Sequence, residues 1–70
     1  MKSQVFLDWM GAVGARFAVD VAEILGLSRV TATNLVSAAK AGHDVEVKKT
    51  VALAMSATAQ RLKPWDDYER

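Results

Sequence analysis

The chain has 70 residues, of which 51% are hydrophobic, and 9 Lys and Arg stand against 8 Asp and Glu for a formal net charge of +1. A chain this short buries one core, so we expect a single domain over residues 1–70 whose stability a dimer would increase. With no cysteine and one histidine, it offers no disulfide framework, cysteine-based zinc site or credible catalytic pair. We therefore expect no enzyme activity, no metal and no cofactor.

Hydrophobic residues are scattered, and no apolar run approaches the roughly 20 residues that a membrane span needs. The start, Met-Lys-Ser-Gln-Val-Phe-Leu-Asp, lacks the apolar centre of a secretory signal. The glycines stand apart and form no phosphate-binding loop. These features predict a cytoplasmic protein with no membrane partner and no small-molecule ligand.

A first helix is predicted after Ser3, a residue type that caps helix N-termini. Apolar side chains then recur at three- and four-residue spacing, which predicts a core-facing seam with Trp9 as a packing residue. Gly14 is expected to end this helix. Phe17 is predicted to anchor the core, whereas Arg16 is either a phosphate contact or a solvated side chain. The predicted seam consists of Val5, Phe6, Trp9, Met10 and Val13.

Residues 18–37 read as a short helix, a three-residue turn opened by glycine, and a second helix rich in small polar side chains. Gly26 can adopt the positive φ that ends a helix, Ser28 can cap the next helix, and the small Ala22 lets the two helices cross closely. This pattern is typical of a helix-turn-helix that reads DNA, although similar corners occur in proteins that bind no nucleic acid. The positions expected to face the core are Val21, Leu25, Leu27, Ala32 and Leu35.

The second helix of this motif, residues 28–39, has a composition that suits a polyanion. It contains no acidic residue and no lysine, although Glu and Lys usually fill exposed helix faces. Arg29 and Asn34 are residue types that form bidentate hydrogen bonds with guanine and adenine in the major groove. Thr33 and Ser37 are expected on the same outer side, so the pattern favours a DNA-reading helix.

A fourth helix is predicted over about residues 47–62, after a loop at Gly42 and with Asp44 as its N-cap. Pro64 should end it, Trp65 should fold back over the edge of the core, and residues 66–70 should form a short polar tail. No segment alternates as a strand does, so we predict an all-α fold. The apolar stripe of the fourth helix consists of Val47, Val51, Ala54, Met55, Thr58 and Leu62.

Positive charge concentrates around the reading helix and just after it, whereas acidic residues gather in the tail. Lys48 and Lys49 flank the first turn of the fourth helix, where they are either phosphate contacts or solubilising residues. The candidate phosphate contacts are Arg16, Ser37, Lys40, Lys48 and Lys49.

The stretch Asp20-Val21-Ala22-Glu23, with Gly26, Ser28 and Thr31, resembles the N-terminal headpiece of lac-repressor-type regulators. Over nearly its whole length, the chain resembles the small lambda-Cro/repressor-like regulators of phages and prophages, including anti-CRISPR-associated regulators. A helix precedes the motif, and a final helix Val51-Ala52-Leu53-Ala54-Met55 leads to Leu62-Lys63-Pro64-Trp65. Two positions depart from that pattern: Ala18 replaces a phosphate-binding Gln, and Ala32 replaces a larger core residue.

This resemblance implies a compact four- to five-helix domain that binds an inverted-repeat operator in double-stranded DNA as a homodimer and represses transcription, often of its own operon. It also implies base reading by Ser28, Arg29, Val30, Thr33 and Asn34. Because much of the remaining apolar surface lies on the last helix, we expect dimer contacts at Val51, Met55, Thr58, Leu62 and Trp65, with reading helices about 34 Å apart.

Two other functions remain open at this point. The last helix could instead dock on a host protein, which would make the chain a small interaction module or inhibitor. A nonspecific architectural DNA binder is less consistent with the sequence, because such proteins are usually far more basic.

Overall fold

The computed structural model describes residues 1–67 as four α-helices and one final turn of 3₁₀-helix. The described range contains no strand, which confirms the all-α prediction, and none of its helices is long and apolar enough to cross a membrane. The last three residues of the predicted polar tail, 68–70, lie outside the described residues. The elements are α1 (Ser3–Val13), α2 (Ala18–Leu25), α3 (Arg29–Lys40), α4 (Lys49–Ala59) and the 3₁₀ turn Trp65–Asp67.

The first two helices end where their glycines predict. Gly14 and Gly26 follow α1 and α2 in the left-handed conformation, with φ of 75° and 68°. At the end of α2, the amide of Leu27 donates to the carbonyl of Ala22 over 3.0 Å, the bond that closes a Schellman motif. This bond turns the chain from α2 towards α3 within a few residues.

The start of α1 is not capped as predicted. Ser3 is the first helical residue, and Lys2 occupies the N-cap position without a side-chain hydrogen bond to the helix. The prediction that Ser3 caps the helix is therefore wrong by one position.

The fourth helix is shorter than predicted at both ends. It begins at Lys49 with Lys48 as its N-cap, whereas Asp44 lies in a non-helical segment, 43–48, so the capping role predicted for Asp44 is wrong. This segment is tied to the start of the chain. The amide of Val45 donates to the carbonyl of Met1 over 2.7 Å, and the Met1 ammonium donates to the carbonyl of Val45 over 2.9 Å.

The end of α4 has a left-handed residue that is not glycine. Leu62 donates its amide to the carbonyl of Ala57 over 2.9 Å, which is the same closing bond as at the end of α2. The left-handed position is taken by Arg61, with φ of 59°. An L-residue with a β-carbon is strained there, so α4 ends less favourably than α2.

The core lies where α1 and α2 pack against both α3 and α4. Phe6 and Trp9 form a tilted ring pair at its centre, with centroids 5.8 Å apart. Helix α3 contributes four buried residues, whereas α4 contributes only Met55. The buried core consists of Phe6, Trp9, Met10, Ala15, Val21, Ala32, Leu35, Val36, Ala39, Val45 and Met55.

Three aromatic or aliphatic residues predicted to pack inside are exposed instead. Phe17 is 63% exposed because it occupies the extended N-cap position of α2, whose buried residue is Val21. Val5 is 52% exposed beside the buried Phe6, so the seam of α1 is narrower than predicted. Trp65 is 76% exposed in the 3₁₀ turn, so the prediction that it covers the edge of the core is also wrong.

Candidate nucleic-acid interface

The corner between α2 and α3 is fixed by a side-chain cap. The amide of Thr31 donates to Ser28 Oγ over 3.2 Å, and the Ser28 hydroxyl donates to Thr31 Oγ1 over 2.9 Å. This confirms Ser28 as the N-cap of α3. Because its hydroxyl is engaged with Thr31, Ser28 positions the helix more than it offers a group to bases. Val21 and Ala32 are fully buried beside this corner.

The outer face of α3 presents polar groups that no other residue among 1–67 uses. The four residues predicted on this side and Val30, which was predicted to contact bases, are all exposed. Within residues 1–67, their polar side chains form neither hydrogen bonds nor ion pairs. Their donors and acceptors are therefore available to an external ligand. These residues are Arg29, Val30, Thr33, Asn34 and Ser37, and Lys40 is exposed at the end of the helix.

The two edges of this face differ in charge. Helical spacing places Arg29, Thr33 and Lys40 along one edge. Along the other edge runs a groove between α3 and the segment before α4, and its lining includes Asn34, Asp44 and Glu46. α3 itself contains no acidic residue, but the segment before α4 that packs beside it carries Asp44 and Glu46. Phosphates are therefore favoured beside the first edge and disfavoured beside the second.

The backbone amides of the two residues before α2 are already occupied. The Asp20 carboxylate accepts hydrogen bonds from the backbone amides of Arg16 (3.0 Å) and Phe17 (3.1 Å). These two bonds, with the Arg16 charge nearby, hold the pKa of Asp20 below its ordinary value. The Asp20 carboxylate thus holds the turn that leads into α2, and the exposed Arg16 side chain remains the predicted phosphate contact of that turn.

The remaining predicted phosphate contacts lie at the start of α4. Lys48 and Lys49 are both exposed, and neither forms an ion pair with another residue in the described range. Lys48 ends the non-helical segment that carries Glu46, and Lys49 begins α4. Along the chain, positive charge therefore resumes two residues after Glu46.

Two of the predicted dimer contacts are engaged inside the protomer. Met55 is 4% exposed, and its carbonyl accepts a 2.9 Å hydrogen bond from the indole N–H of Trp9. The Thr58 hydroxyl donates to the carbonyl of Ala54 over 2.9 Å and lies 3.3 Å from the same indole nitrogen. Val51 is half-buried against the core. Of the predicted set, Leu62 and Trp65 are the exposed members.

The residue that sequence reasoning missed on α4 is Leu53, which is 61% exposed. The same helix also borders an apolar groove between α1 and α4, whose lining does not include Leu53. The signal was present in the sequence, because residues 50–59 contain no charged side chain although they form a surface helix. The groove is lined by Met1, Val5, Asp8, Trp9, Ala12, Ala52, Met55, Ser56 and Ala59.

Comparison with known proteins gives no match to a family model, to a curated protein or to a solved structure. Among residues 1–67, no group of three His, Cys, Asp or Glu side chains is arranged to hold a metal ion. What these surfaces bind must therefore follow from their own chemistry.

Proposed function

We propose that the protein is a sequence-specific DNA-binding transcriptional repressor that inserts α3 into the major groove as a homodimer. The observation that carries this proposal is the outer face of α3, which is exposed, free of carboxylates and lined with unused hydrogen-bonding groups. A helix set by a glycine corner and a serine cap presents such a face in one orientation. Arg29 and Asn34 supply the side chains that best distinguish guanine and adenine.

The charges at the two edges of α3 suggest how the duplex lies. In the proposed complex, one phosphate strand follows the edge that carries Arg29 and Lys40, because the opposite edge faces Asp44 and Glu46. Bases then meet the middle of the face. The exposed side chains of Arg16, Ser37, Lys48 and Lys49 are the further candidates for phosphate contacts.

A dimer gives the proposed repressor enough sequence to recognise. One helix reads only about four to six base pairs, too few to define a genomic site. Leu53 is exposed on a helix whose residues 50–59 carry no charged side chain, so two copies related by a two-fold axis can each bury Leu53 against the other. The operator is then an inverted repeat with half-sites about 34 Å apart. The resemblance to phage regulators suggests a promoter of its own operon, in the cytoplasm of a bacterial host.

The direct test is selection of bound sequences from a random DNA library. We expect an inverted repeat to be enriched. Arg29→Ala and Asn34→Ala should each weaken binding to that site by about 1–3 kcal/mol and leave nonspecific binding nearly unchanged. Thr50→Ala, an exposed polar residue on α4, is the control and should change neither. Wild-type affinity of both reading-helix variants would contradict the proposal.

The lysines at the start of α4 give a second, independent measurement. Lys48→Ala and Lys49→Ala should lower affinity for all sequences and reduce the salt dependence by roughly one unit for each phosphate that the variant no longer neutralises. A slope equal to that of the wild type would mean that these lysines only solubilise the surface.

A protein-interaction module is the second candidate, and the apolar groove between α1 and α4 with the exposed Leu53 favours it. In that case a different protein occupies the groove, and α3 does not bind DNA. Light scattering separates the two. A chain that is monomeric both alone and with DNA, and that enriches no sequence, would support the interaction module.

A further inference from the structure

Val30 lies on the outer face of α3, where it is 71% exposed, and it contributes nothing to the core. Its neighbours on the same face, Asn34 and Ser37, are polar and also exposed. A β-branched side chain is a weak helix former, and an exposed helix position ordinarily carries a stronger one. Folding of the protomer therefore does not account for a valine at this position.

We infer that Val30 recognises the C5-methyl group of a thymine and Asn34 recognises an adenine one or two base pairs away, so that α3 selects A·T pairs at both positions. This inference rests on the proposed function and specifies its base preference. The thymine methyl is the apolar group that a base pair presents in the major groove, and cytosine offers an amino donor there instead. An aliphatic side chain that cannot form hydrogen bonds distinguishes these two edges by covering the methyl group.

The spacing of the two residues fits neighbouring base pairs. Val30 and Asn34 are four residues apart on one helix, which puts their β-carbons about 5–6 Å apart. Successive base pairs are about 3.4 Å apart along the duplex, so the two side chains meet positions one or two steps apart. The Asn34 carboxamide has no hydrogen bond within residues 1–67 and can form both bonds to adenine N6 and N7.

The experiment replaces thymine by deoxyuridine, one position at a time, in the site selected by the 70-residue chain. This change removes only the methyl group and keeps base pairing. We expect one position in each half-site at which the wild type loses about fourfold in affinity, which corresponds to one buried methyl group. The loss should disappear in Val30→Ala. It should persist in Val19→Ala, a matched change at another partly exposed valine, and in Asn34→Ala.

The outcomes separate this inference from the proposed function. A selected inverted repeat without any methyl-sensitive thymine, or an equal loss in wild type and Val30→Ala, overturns the base assignment and leaves sequence-specific DNA binding intact. If the Asn34→Ala variant still prefers adenine at the neighbouring position, Asn34 does not recognise that adenine. If no sequence is enriched at all, the proposed function fails and the base assignment fails with it.

Discussion

Helices α3 and α4 are similar in length, and neither contains an acidic residue, yet they present opposite kinds of surface. α3 buries four residues and exposes polar side chains, whereas α4 buries one, exposes Leu53 and borders an apolar groove on another side. Hydrogen-bonding groups on a firmly packed helix are held in fixed positions, which suits a ligand recognised by directed hydrogen bonds. An apolar face on a lightly packed helix lowers the free energy when another surface covers it. The comparison therefore supports the proposal that DNA binds at α3 and a protein surface at α4.

A glutamate introduced on each of the two helices should separate their roles most clearly. Val30→Glu puts a carboxylate on the reading face and should abolish DNA binding while the dimer remains. Leu53→Glu puts a carboxylate into the proposed dimer contact and should weaken the dimer by about a hundredfold, because a charge would be buried without a partner. Analytical sedimentation of both variants measures dimer affinity, and titration with the selected site measures DNA affinity.

Both residues are well exposed in the protomer, so neither change should unfold it. Circular dichroism melts close to the wild type are the control. If Leu53→Glu dimerises normally, the dimer surface lies elsewhere; if Val30→Glu binds the selected site normally, α3 does not read it.

A second prediction concerns how α4 is held. Trp9→Phe removes the indole donor to the carbonyl of Met55 and should cost about 1–3 kcal/mol of unfolding free energy. Amide hydrogen exchange should accelerate in α4 more than in α3, because α3 has its own buried residues. Thr58→Val, which keeps the bond between Trp9 and Met55, should cost less. Equal acceleration in both helices would show that α4 is no more weakly held than α3.

A third prediction concerns the corner that orients α3. Gly26→Val should destabilise the fold by about 1–3 kcal/mol, because valine is strained at a φ of 68°. A β-carbon at Gly26 would meet no atom within 4 Å, so the cost is conformational and not steric. Gly11→Ala is the matched control: Gly11 is helical with equally open space, and this change should stabilise by about 0.5–1 kcal/mol. Equal melting temperatures for the two variants would refute the role of the corner.

The smallest expected effect is at the end of α4, where Arg61 occupies the conformation that glycine occupies at the end of α2. Arg61→Gly should raise the unfolding free energy by about 0.5–1 kcal/mol, because the strain is relieved at some cost in chain entropy. Gln60→Gly, at a φ of −89°, has no strain to relieve and should destabilise instead. The unfolding free energies of the two variants are measured by urea unfolding and compared with that of the wild type. A loss of stability in both variants would contradict the prediction.

Features that depend on neighbouring residues could be predicted from the sequence. Glycine at a helix end has few competitors for a positive φ, and a serine hydroxyl is within reach of the amide three residues later, so the breaks at Gly14 and Gly26 and the cap at Ser28 were predictable. The exposed side of α3 followed from helical periodicity for the same reason.

Features that depend on distant residues were decided by the tertiary structure. Asp44 is a residue type that caps helices. Its neighbour Val45, however, forms two hydrogen bonds with Met1, and α4 begins only at Lys49. Phe17 has the hydrophobicity of a core residue, yet the core beside α2 is occupied by Val21. The same folding brings Asp44 and Glu46 to the edge of a helix that has no acid of its own. Local conformational preference acts over a few residues, whereas burial and charge neighbourhoods depend on which segments pack together, and a single sequence records the first far more directly than the second.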